Sequence, residues 1–160
     1  MLNNKKVQGF TLIEILVVIS IVGLLSSVFL VGLSGFRARG RDARRLADLK
    51  SVQNGAEIYY TRCGRYAGGV PPASGACPAT DITTWAALKT ALIDPALGIT
   101  KLPDDPLAGQ TYYYAGKPAD GQSYVIGAKL ENTGDQALTT DVDGTVFGID
   151  CADPVYCVQF

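Results

Sequence analysis

The sequence predicts an α+β fold: one long N-terminal helix packed on a small antiparallel sheet. Three observations predict it. Residues 10–33 form an apolar run of 24 residues, broken only by Thr11, Glu14, Ser20, Ser26 and Ser27. Helical periodicity follows directly, with Ala43, Leu46, Leu49, Val52, Ala56 and Tyr59 at spacings of three and four. The β-prone segments all lie later in the chain, and helix first with strands after is the α+β order.

The first nine residues are short and polar, with Lys5 and Lys6. As a helix, the apolar run is about 36 Å long against a hydrocarbon core of about 30 Å, enough to span a membrane with some tilt. It is too long for the apolar core of an ordinary signal peptide, so its processing signal is expected before the run. Residues 34–40 carry Gly35 and Gly40 and read as a loosened hinge. Residues 41–60 read as an amphipathic helix, with Asp42, Arg45, Asp48 and Lys50 largely off the apolar stripe. Unbroken from Phe10, the two stretches make one helix, apolar all round at first and then on one side only.

Residues 64–80 are rich in Gly, Pro, Ala and Ser and read as a loop. Trp85, Leu88 and Leu92 have helical spacing, which predicts a short helix over 83–92, and the Pro- and Asp-rich stretch 94–106 reads as extended. Strands are expected at 111–114, 124–130 and 142–149, with 155–159 as a fourth. The expected organisation is a leader at 1–9, a membrane and assembly helix at 10–34, and a globular domain at 35–160 that includes the amphipathic half of the helix.

The chain has 160 residues, enough for one compact domain with a real core plus an appendage. Its 14 basic and 15 acidic residues nearly cancel, but they are unevenly placed. Five arginines and Asp42 fall between residues 37 and 45, whereas from residue 62 onward there are six basic and eleven acidic residues. A basic collar thus precedes an acidic body, which lacks the extended positive field of a nucleic-acid binder. The collar suits anionic headgroups, an acidic protein surface, or simply a solvated helix face.

Cys63, Cys77, Cys151 and Cys157 are the cysteines, and there is no histidine. An even count in loop-like sequence points to disulfides and an oxidising compartment. Zinc is the rival, but the short spacing of a zinc knuckle and the histidine of a mixed site are both absent. Of three connectivities, sequence proximity favours Cys63–Cys77 with Cys151–Cys157. An enzyme is not indicated: there is no histidine for a triad, no Gly-x-Ser-x-Gly, no phosphate-binding loop and no metal-ligand cluster.

Lys5-Lys6-x-x-Gly9-Phe10-Thr11-Leu12-Ile13-Glu14, opening the long apolar run, resembles the class III signal of type IV pilins and type II secretion pseudopilins. The resemblance covers residues 9–27 and implies cleavage by a membrane prepilin peptidase between Gly9 and Phe10, then N-methylation of Phe10. It implies a single-pass precursor in the inner membrane and later an extracellular or periplasmic helical filament of copies of the same chain. The implied partners are an inner-membrane assembly platform, minor pilins and, before assembly, lipid.

Glu14 makes physical sense in that setting. A carboxylate four residues into an apolar span is costly and is usually paired, although so near the end it can also reach the headgroups. Cleavage before Phe10 creates an α-amino group, and Glu14 of one subunit is placed to neutralise that amine on its neighbour. A buried charge pair of this kind fixes register. Two features depart from the expected pattern. No proline occurs before Pro71, where many pilins have one late in the run; Gly23, Gly32 and Gly35 are the substitutes, each weakening a helix by about 1 kcal/mol. A naive positive-inside count would also put the arginine side, and so the body, in the cytoplasm, whereas the cysteines and the leader argue for outside.

In the body, Leu102-Pro103-x-Asp105-Pro106 followed by Tyr112-x-Tyr114 is similar to the major pseudopilin of type II secretion; a proline-rigid loop entering an aromatic strand explains the same residues. Asp141-x-Asp143-Gly144 with Asp150 resembles the acidic late loop where those pseudopilins bind calcium, and alternate carboxylates before a glycine suit a hard cation. No other cofactor is implied. The preferred reading is a hairpin with Asp143-Gly144 as its turn. The rival to a filament subunit is a single-span anchored binding domain that never polymerises; it needs neither Glu14 nor a Gly-Phe junction. Major and minor subunit, and adhesion, motility, DNA uptake or secretion, all share this plan.

Overall fold

A computed structural model describes residues 10–69, 77, 82–117 and 121–160, with backbone alone at 28–34. Residues 1–9, including Gly9, Lys5 and Lys6, lie outside the described residues, as does most of the stretch 64–80 expected to be a loop. The chain divides into two units, Met1–Arg37 and Ala38–Phe160, and helix α1 (Leu12–Cys63) contributes to both.

The start and end of α1 have identifiable causes. Thr11 and Glu14 form a reciprocal cap: the Glu14 N–H donates to Thr11 Oγ1 at 3.3 Å, and the Thr11 N–H donates to Glu14 Oε2 at 2.8 Å. This satisfies orphan donors at both ends of the first turn. At the other end Gly64 takes φ +67° and its N–H donates to Tyr60 O at 2.7 Å, a left-handed stop that favours glycine. Residues 34–40, expected to be a hinge, are helical throughout.

In the second unit the buried face of α1 is Asp42, Arg45, Leu49, Val52, Ala56, Tyr59 and Cys63, an unbroken alternation of three and four. This corrects the expected stripe at its first turn. Ala43 is exposed and Leu46 half-buried, whereas the charged pair Asp42 and Arg45, placed outside the stripe by sequence, occupies the buried positions.

Helix α2 (Trp85–Leu92) is capped by Thr84, whose side chain accepts from the Ala87 N–H, and it buries Trp85, Leu88, Ala91 and Leu92. The stretch after it, expected to be extended, contains a 3-10 turn at Pro95–Leu97, nucleated by the Asp94 side chain accepting from Ala96 N–H. Strands β1 (Tyr113–Gly116), β2 (Tyr124–Lys129) and β5 (Val155–Gln159) form an antiparallel sheet in the order β1-β2-β5. Tyr114 pairs with Ile126, and Gly127 with Cys157.

Side chains alternate along β2, as a strand requires. Tyr124, Ile126 and Ala128 join Leu49, Val52, Ala56 and Tyr59 of α1, the buried face of α2, and Tyr112 and Tyr114 in the main core. Val125 points into a second, small core with Ala115, Cys151 and Cys157. Gly127 sits in a tight spot: an added Cβ would lie 3.0 Å from both Cys157 Sγ and Tyr156 O.

The expected strand at 142–149 is instead a miniature hairpin of β3 (Thr145–Val146) and β4 (Ile149–Asp150). Its turn pair is Phe147-Gly148, at φ +48° and +86°, not Asp143-Gly144. Both central residues of this two-residue turn sit at positive φ, the twist that antiparallel strands favour. Gly144 instead stands just ahead of the hairpin, and its carbonyl accepts from Cys151 N–H at 2.8 Å.

Leu49→Ala in the detergent-solubilised full chain should cost about 2–5 kcal/mol, because Leu49 is enclosed on all sides. Ala43→Ser, on the exposed side of the same turn, should stay within about 0.5 kcal/mol. Urea unfolding of both variants checks which face of α1 is the buried one.

Candidate functional site

The first candidate site is the start of α1. From Phe10 to Leu25 the large apolar side chains are 51 to 84% exposed. No face of this stretch is covered, which marks a surface built for association. Its hydroxyls make no demand on a partner: Ser20 Oγ donates to Leu16 O, Ser26 to Val22 O and Ser27 to Leu24 O, at 2.7 to 2.8 Å. Such back-bonding suits an apolar surrounding. Both bonds that Thr11 donates to Glu14, from its N–H and its hydroxyl, reach Oε2 at 2.8 Å. Glu14 is therefore held at the helix start beside Phe10, with Oε1 outside those bonds. Among the described residues no helix is long and apolar enough to cross a membrane; the side chains of 28–34, late in the apolar run, lie outside the described residues.

The second site is a buried ion cluster that sequence reasoning missed. The Arg45 guanidinium has no exposed surface. Its Nε and Nη2 donate to the two oxygens of Asp105 at 2.7 and 2.8 Å, a bidentate fork. Its Nη1 donates to Asp42 Oδ1 and Glu131 Oε1, both at 2.7 Å. Glu131 also receives Arg41, at 2.7 Å from Nε and 2.5 Å from Nη2. Asp42 closes the circuit by accepting the N–H groups of Glu131 and Asn132 at 2.9 to 3.2 Å. One helical turn is thereby tied to the loop before β1 and to the residues after β2.

The electrostatics follow the geometry. The Arg41 hydrogen bond is the largest influence on Glu131; with Arg45 it overcomes partial burial and holds the carboxyl down to about 2. For Asp105 burial is the largest influence and opposes ionisation, but the Arg45 bonds and the Leu107 N–H outweigh it, so its pKa is lowered. Asp105 belongs to the Leu-Pro-x-Asp-Pro stretch and Tyr112 to the Tyr-x-Tyr pair. Tyr112 is buried and donates to Asp48 Oδ2 at 2.7 Å, one helical turn beyond Arg45. Of the basic collar, Arg41 and Arg45 are thus engaged inside the body, while Arg44 makes only a loose 3.6 Å pair with Asp48.

The cysteines pair as Cys63–Cys77 and Cys151–Cys157. The first staples the end of α1, and the second lies in the small core behind β2. The acidic late loop differs from expectation in one member. Asp141, Asp143 and Asp153 bring carboxylate oxygens within 4.8 Å of one another; Asp150 instead accepts from Ala152 N–H at 3.1 Å. Asp141 Oδ2 accepts from Cys157 N–H at 2.8 Å, and its Oδ1 is buried without a hydrogen bond. Burial raises its pKa most; the Cys157 N–H opposes this, and Asp143 and Asp153 add to it.

An exposed apolar helix start thus precedes a disulfide-stapled α+β body. Residues 4–30 match the family model described as the prokaryotic N-terminal methylation motif. The chain is 29% identical over 63 residues to the type IV major pilin protein PilA of Myxococcus xanthus, covering 39% of this chain and 29% of that one. It is 29% identical over 65 residues to the type II secretion system core protein G of Aeromonas hydrophila, covering 41% and 46%. A type IV major pilin protein PilE1 of Neisseria gonorrhoeae is 32% identical over 79 residues, covering 49% and 48%. The chain spans less than half the length of these relatives, and no solved structure matches. Over its N-terminal part the chain is thus similar to type IV major pilins and to type II secretion core protein G.

Removing Arg45 should leave buried carboxylates uncompensated. Arg45→Ala is expected to cost about 3–5 kcal/mol, and Arg45→Lys to recover little, because an ammonium cannot make the fork. Glu131 has a folded pKa below its unfolded value of about 4.3. Its contribution is therefore complete above about pH 5 and disappears as pH falls toward about 2. Thermal midpoints measured from pH 7 to pH 2 should drop across that window, and Glu131→Gln should flatten the part due to this group.

Proposed function

We propose that the chain is the repeating subunit of a type IV pilus or secretion pseudopilus, made as a membrane-anchored precursor and polymerised through residues 10–34. Prepilin peptidase cuts between Gly9 and Phe10 and methylates the new terminus. The single observation that carries the reading is the methylation-motif match across residues 4–30, on a helix whose apolar side chains have no cover of their own. The body then lies on the extracytoplasmic side, where the two disulfides persist.

In the assembled bundle Glu14 neutralises the α-amino group of a neighbour's Phe10. The Thr11 bonds support this role, since they hold the carboxylate at the helix start while using only one of its oxygens. Without cleavage there is no amine, and a polar leader would have to enter the bundle, so processing gates assembly. In cells with a prepilin peptidase, intact mass should show a chain starting at N-methylated Phe10. Glu14→Ala should be processed normally yet give few or no filaments. A chain beginning at Met1, or full filament yield from Glu14→Ala, would point instead to a single-span anchored domain or to another source of register.

A second reading has its own observation. The orphaned Asp141 Oδ1, beside Asp143 and Asp153, fits a calcium ion, which takes carboxylate oxygens in flexible geometry. Asp141, Asp143 and Asp153 would hold it, and it would neutralise the loop beside the Cys151–Cys157 staple. Calcium should then raise the thermal midpoint and a chelator reverse it; an unchanged midpoint in Asp143→Asn, but not in the parent, would assign the effect to this loop.

A further inference from the structure

The body carries two exposed charged surfaces of opposite sign. On α1 the outward side just after residue 38 presents Gly40, Ala43 and Ala47, all exposed, and nothing lies within 4 Å of a Cβ built on Gly40. At about 100° per residue, Arg39 stands on one flank of this smooth strip and Arg44 on the other. Both are exposed. At the other surface, Asp143, Asp150 and Asp153 are exposed on the loops around the β3–β4 hairpin. None of these three aspartates, and not Arg39, takes part in an ion pair among the described residues. Arg44 has only the loose 3.6 Å pair with Asp48, while Arg41 and Arg45 are engaged internally.

We infer that the Arg39/Arg44 face of α1 docks a second copy of this chain through that copy's Asp143, Asp150 and Asp153. The inference rests on the filament reading above and names the contact between bodies within it. Three facts favour this occupant. Signs are opposite on two separate surfaces of one chain, so every copy carries both halves of the contact. Small side chains on the strip let a partner approach closely while the arginines reach past it on either side. Two different patches meeting head to tail form a heterologous contact, which continues from copy to copy and, where the rotation does not close a ring, builds an open filament. Complementary charges of this kind set partner choice and register.

The test is a charge swap in the full-length protein, with three readouts: processing by mass, disulfide formation, and sheared-filament yield. Arg39→Glu/Arg44→Glu and, separately, Asp143→Arg/Asp153→Arg should each be processed and oxidised normally but lose about tenfold or more of the filament yield. Combining the four substitutions in one chain should restore yield, because each copy again carries complementary faces. Normal yield from the arginine pair, or no recovery in the combined chain, overturns the docking. Loss with the aspartate pair alone, while the arginine pair assembles normally, overturns it too and assigns the loop to a cation. If the parent chain itself forms no filaments under these conditions, the filament reading falls and this contact with it.

Discussion

The body is organised around one buried cation. A guanidinium removed from water is tolerable only when its donors are met in their own plane. Arg45 achieves this by drawing carboxylates from three places in the chain: Asp42 one turn earlier, Asp105 before the sheet, and Glu131 after its central strand. Because Asp105 and Glu131 lie 60 and 86 residues away in sequence, the cluster cannot form until helix and sheet are in their final register. Hydrophobic residues below it, from Leu49 to Tyr59, supply most of the packing. A greasy surface alone permits small slides, whereas a bidentate fork does not.

The elements were mostly legible and the cluster was not. Periodicity placed the long helix, the second helix and three of the sheet's strands within a few residues, because an apolar stripe is what those elements bury. The same logic places Asp42 and Arg45 in solvent, because charged side chains are seldom fully buried. The clue was present, since positions 42, 45, 49, 52, 56 and 59 keep the 3-4 rhythm better than a start at Ala43. What sequence cannot supply is the distant counter-charge at Glu131. The Thr11-x-x-Glu14 cap is equally readable as a Thr-x-x-Glu pattern.

The late loop shows a different limit. Asp143-Gly144 is a strong turn signal on composition, yet the reversal occurs at Phe147-Gly148, where a phenylalanine accepts positive φ. Tertiary context decides: Gly144 O meets Cys151 N–H, Asp141 meets the Cys157 N–H, and Phe147 packs on the small core. That also explains why Asp153, beyond the disulfide's first cysteine, stands with Asp141 and Asp143 in place of Asp150. Contacts across a staple are invisible to a reading that moves along the chain.

In the filament proposed above, the serines that fold their hydroxyls back onto α1 have a consequence for which subunits could share a bundle. Between residues 11 and 27 they leave Glu14 as the one ionisable side chain, the mark by which such a bundle would distinguish one axial position from another. A surface with a single distinguishing mark recognises that mark and little else. Other chains bearing a carboxylate at the same distance from a free amine would be admitted almost as readily as identical copies. Identity checking would then be displaced from the greasy interior to the bodies, with the interior as a common gauge and the exterior as the signature.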